Sequence, residues 1–144
     1  MDVNLARSGK ATPLFIASQK GHADAIRALL ESDQVDINKP LHGTSPLSVA
    51  SENGHIDAVQ ALLRPGVDVN QPRANGLTPL AVAAFFGHDL VVRALLEAGA
   101  STTKEMNHGH SPLQFARDQG HLRVVEVLLL HAKSMGVHLE HAEL

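Results

Sequence analysis

The chain contains no cysteine, no tryptophan and no tyrosine, and phenylalanine, with four copies, is its only aromatic. The missing thiols exclude disulfides and thiolate metal sites, so whatever holds this chain together is packing and hydrogen bonding. Lys/Arg clusters are also lacking: 12 basic against 15 acidic residues give a net charge of −3, which offers no general attraction to a phosphate backbone. Nucleic acid is not an expected partner. No apolar run reaches membrane-spanning length and no charged-then-apolar leader is read at the start, so no membrane association is expected and the segment is read as soluble and unsecreted. Catalytic signatures are missing too, with no Gly-x-Ser-x-Gly and no glycine-rich phosphate loop, so no catalytic residue is assigned.

What is present is a repeat. Thr12-Pro13-Leu14, Ser45-Pro46-Leu47, Thr78-Pro79-Leu80 and Ser111-Pro112-Leu113 follow one another at steps of 33 residues. Gly21-His22, Gly54-His55, Gly87-His88 and Gly120-His121 keep that step, as do Leu29-Leu30, Leu62-Leu63, Leu95-Leu96 and Leu128-Leu129. Such a period marks a stack of small units, each too short to bury its own apolar face.

The third copy shows the logic of a unit. Thr78 stands where an N-cap hydroxyl would accept an orphaned N–H, and Pro79 takes the first helical position, where its missing N–H costs nothing. A helix of about two turns then carries Leu80, Ala83 and Ala84 on one face and stops at Gly87. A second helix from Asp89 puts Val92, Leu95 and Leu96 on one side and ends near Gly99. Neither helix is long enough to stand alone. Pro40 and Pro72 keep the linking segments extended, and Pro65 ends the second helix of copy two.

The pattern G-x-T-P-L, A-A-x-x-G-H, V-x-x-L-L-x-x-G-A resembles the ankyrin repeat over residues 3 to 131. The resemblance implies an all-α solenoid of four helix–turn–helix units with hairpin-like loops, which binds other proteins along its loop tips and the concave face of its first helices. The units are placed at 8–40, 41–72, 73–104 and 105–133, preceded by the tail of a partial repeat at 1–7. Residues 134–144 either cap the last unit or form a frayed extension. Lys10 replaces the turn glycine found at Gly43, Gly76 and Gly109. The family's usual His after Thr-Pro-Leu is replaced by Phe15, Ser48, Ala81 and Gln114, which are expected to face the groove and make it individual to this protein. Asn70 resembles asparagines hydroxylated in the family, and with the resemblance the lack of cysteine favours a reducing compartment, cytoplasm or nucleus.

Ten histidines raise the question of metal. His22, His55, His88 and His121 recur in every unit and are read as structural, bonding across the loops between helices. His108 and His110 flank Gly109 without an evident third ligand, so no metal and no cofactor is assigned.

The expected partner face therefore combines first-helix positions with loop tips. On the helical wheel Ala81 and Phe85 fall opposite the buried face and are expected to be exposed, while Phe86 sits nearer Val82, either packed on a neighbouring repeat or in the groove. Ser48, Glu52, Asn53, Gln114 and Asp118 are the corresponding residues of other copies, and the tips supply His42, Thr44, Asn75, Leu77 and His110. This layout implies a monomeric, non-enzymatic adaptor or scaffold that binds a protein or peptide. Two rivals stand beside it: a regulatory or spacer segment of a larger enzyme, channel or pathogen effector, and an engineered ankyrin binder, which non-uniform framework positions such as Lys10 and Pro65 disfavour.

Overall fold

In a computed structural model, residues 11–102 and 110–136 are described. The chain runs α1 (Pro13–Lys20), α2 (Ala23–Leu29), α3 (Pro46–Glu52), α4 (Ile56–Leu62), α5 (Pro79–Phe86), α6 (Asp89–Glu97), α7 (Pro112–Asp118) and α8 (Leu122–Ser134). Among the described residues there are no strands and one isolated bridge, Leu41 with Thr44.

Each first helix begins by one device. Thr12, Ser45, Thr78 and Ser111 accept from the backbone N–H of Phe15, Ser48, Ala81 and Gln114 at 3.1, 3.1, 3.3 and 3.2 Å, and a proline follows each cap. These helices end where a glycine turns left-handed, at Gly21 and Gly87 directly (φ 77° in both) and one residue later at Gly54 and Gly120. The odd-numbered helices pack on one another in file, and the even-numbered helices form a second file behind them.

The core lies between the files. Leu14, Leu47, Leu80 and Leu113 line it from the first helices; Ile26, Val59 and Val92, all fully buried, line it from the second. Ser18 and Ser51 also lie fully buried, and each satisfies its hydroxyl by donating to the carbonyl four residues back, Leu14 and Leu47, at 2.7 Å.

The linking segments are tied across repeats. Asn38 accepts from Asp68 N–H at 2.8 Å and donates to the Gly66 carbonyl at 2.9 Å, and Asn70 accepts from Ser101 N–H at 2.8 Å. Their tips differ in length. Leu41 and Thr44 exchange two backbone bonds of 2.9 Å around His42 and Gly43, both at positive φ (50° and 77°), as in a type I′ turn. The next tip closes from Arg73 to Leu77 at 2.9 Å over three residues, with Gly76 at φ 87°. The wider tip absorbs the one-residue difference between the two linkers, so α3 and α5 stay in register. Lys10, His108 and Gly109 lie outside the described residues, as do 137–144.

Candidate functional site

The first-helix face is built on a framework of histidines. His55, His88 and His121 each place Nε2 against a carbonyl near the end of the preceding first helix, at Gln19 (3.1 Å), Glu52 (2.8 Å) and Phe85 (2.8 Å). A carbonyl accepts only, so Nε2 carries the proton and donates. Each ring also sits over the glycine of the previous repeat: a Cβ on Gly87 would come within 2.6 Å of His121 Nδ1. The recurring Gly-His pair is thus one contact spread over two repeats, in which the glycine makes room for the next repeat's imidazole.

On this framework the residues expected at the face separate into two groups. Ala81 and Ser48 are fully buried, and so, at 5% exposure, is Phe15. The expectation that the position after Thr-Pro-Leu faces the groove is therefore corrected in the first three repeats. Packing between neighbouring repeats uses a wider arc of each short helix than a single-helix wheel allows, and at Ser48 the linker side chain Arg73 also donates to the hydroxyl at 2.7 Å. Only Gln114, in the last described repeat, remains exposed.

Phe85 and Phe86 are corrected as a pair. Phe86 is the exposed ring, at 47%, while Phe85 is half-buried beneath it. Their centroids lie 5.0 Å apart edge to face; Phe85 meets Phe115 of the next repeat at 5.8 Å edge to face, and Phe115 stacks on His110 at 5.4 Å. Four rings therefore run from α5 across to the start of α7. Glu52, the counterpart of Phe85 one repeat earlier, is half-buried and bound by Arg73, whose guanidinium lies 2.9 Å from the carboxylate. Arg73 Nε also donates to Ser48 Oγ at 2.7 Å. Arg73 was missed by sequence reasoning. Its only signal was a cation placed on the arm that crosses α3.

The remaining positions lie around this centre. Asn53 is exposed and donates to the Gln19 carbonyl at 3.2 Å. His42 and Asn75 stand exposed at the tips, with Thr44 and Leu77 half-buried beside them. Asp118 is exposed, with one oxygen 4.0 Å from Nδ1 of half-buried His110. Ile16, 43% exposed on α1, continues the apolar character at the other end of the face. Two shallow hollows, lined by residues such as Gly21 and Asp57 or Leu63 and Ala98, involve none of the aromatic run.

Repeated helix pairs, recurrent Gly-His contacts and asparagine-tied linkers define a solenoid repeat protein. The chain belongs to the ankyrin repeat family: the family model for three copies of the ankyrin repeat matches residues 1–73 and again 66–139. No curated protein matches the chain. Ankyrin repeats are in general protein-interaction modules without catalytic activity. Among the described residues no helix is long and apolar enough to cross a membrane.

Proposed function

We propose that this chain is an adaptor-type module that docks a protein or peptide partner on the face formed by its first helices and loop tips. The observation that carries the reading is the four-ring run Phe86, Phe85, Phe115 and His110. Three of the four phenylalanines are gathered there, and the most exposed of them is held edge-on by its neighbour. A fixed aromatic loses little conformational freedom on binding, which is why such side chains dominate interface energetics. Polar groups flank the run on both sides, the Arg73–Glu52 pair with Asn53 on one and Asp118 on the other, which is the arrangement of an apolar centre with a polar rim. In this reading the chain acts as a monomer and uses no cofactor.

The test is partner capture with Phe86→Ala and, in parallel, Phe86→Asp, each checked for folding by thermal melting. Because Phe86 is largely exposed, the melting temperature is expected to hold. Partner affinity is expected to fall by about 2 kcal/mol for the alanine. Unchanged affinity in both variants would move the docking face elsewhere.

A further inference from the structure

We infer that the aromatic run selects a protein segment that pairs a bulky apolar residue with an arginine or lysine about three residues away. This rests on the docking reading above and adds the chemistry of the partner.

The argument is one of charge left over on an apolar surface. Among the described residues two carboxylates border the run, Glu52 and Asp118, and they are in different states. Glu52 already has its counter-ion in Arg73, at 2.9 Å, and the Arg73 side chain is only 15% exposed, so this end is neutralised and fixed. Asp118 has a side chain 55% exposed, and among the described residues no lysine or arginine is paired with it. Its basic neighbour among the described residues is His110, whose Nδ1 lies 4.0 Å away, is withdrawn from solvent and has no hydrogen-bond partner among those residues. A partner approaching Phe86 along the face therefore meets a solvent-facing ring first and, further on, an exposed carboxylate that no described lysine or arginine pairs with.

A cation suits both features. Its charge compensates Asp118, and the aliphatic stem of arginine or lysine can lie on the phenyl surface, where ring and cation also attract one another. Neighbouring first helices lie about 8 to 10 Å apart, and an extended chain advances about 3.3 Å per residue. An apolar residue seated on Phe86 therefore brings a side chain about three positions along to the level of α7 and Asp118.

The experiment is selection of a random dodecapeptide display library on the intact chain. The winning peptide is then synthesised with a fluorescent label and its affinity read by anisotropy against wild type, Phe86→Ala, Asp118→Asn and Glu31→Gln, an exposed residue beyond α2 that serves as control. The expected winners carry Arg or Lys two to four positions from a bulky apolar residue. Asp118→Asn is expected to weaken binding about threefold, and Phe86→Ala about thirtyfold. Replacing the peptide's basic residue by Gln should cost wild type the same factor as Asp118→Asn and cost that variant nothing further, which ties the two charges to each other. Winners without basic enrichment, or a loss on Asp118→Asn that persists with the Gln peptide, overturn the inference; if Phe86→Ala still weakens them, the docking face stands without it. Winners indifferent to Phe86→Ala overturn both.

Discussion

His55, His88 and His121 each reach back one repeat, and at the residue scale this contact has two halves that can be broken separately. Removing the imidazole leaves a first-helix carbonyl without its donor, so His88→Ala is expected to cost about 1 to 3 kcal/mol in denaturant unfolding, because Glu52 O loses its 2.8 Å bond. Removing the space for the ring is the other half. Gly87→Ala places a methyl group against His121 at a residue whose φ is 77°, whereas Gly99→Ala meets nothing within 4 Å at a φ of 88°. The backbone penalty of about 1 kcal/mol is common to both. Gly87→Ala should therefore cost at least about 1 kcal/mol more than Gly99→Ala, and equal losses in urea titrations would show that the ring contact contributes nothing. The histidines were legible as structural from their recurrence; their acceptors were not, since residues 36 apart are brought together only by stacking.

At the scale of the element, a first helix is a two-turn segment fixed at both ends. Its start is local chemistry: because Thr78 is buried, Ala and Ser variants both lose its methyl group, so Thr78→Ala is expected to cost about 1 kcal/mol more than Thr78→Ser, read from the urea midpoint, since only Ser keeps the hydroxyl that accepts from Ala81 N–H. Its tie to the linker of the next repeat is not local. Arg73 spans from the linker to Glu52 and Ser48 on α3, so Arg73→Ala is expected to lower stability by about 1 to 2 kcal/mol, with less than additive loss when combined with Glu52→Gln. Additive losses would mean the two side chains act independently. The element's ends were readable in Thr-Pro-Leu and in the glycines, because caps depend on residues within one turn. The exposure of Phe85 and Phe86 was read in the wrong order, because a wheel ranks positions around one axis while the neighbours on either side decide which ring is covered.

Across the whole molecule, burial follows position in the file. Ile26, Val59 and Val92 are fully buried, while Val125, their counterpart on α8, is only half-buried because among the described residues no helix lies beyond α8. Leu122, Leu130 and Met135 on and just after α8 are exposed at 79%, 62% and 67%. A stack held by neighbour contacts opens from its edges. Amide exchange is therefore expected to be slowest in α5 and α3, each with a first helix on both sides, and faster in α1 and α8. Slowest exchange in α8 would show that stability does not propagate from repeat to repeat.

The amino-acid sequence by itself determined the repeat, its register of 33 residues, the caps and the apolar faces, because each is set by residues within a few positions of one another. The tertiary structure alone decided which small residues are covered by neighbouring repeats, that Arg73 neutralises Glu52 while no described lysine or arginine pairs with Asp118, and that Phe86 meets solvent more than Phe85 does. These depend on the placement of adjacent helices, which brings together side chains more than 20 residues apart and which no single unit specifies.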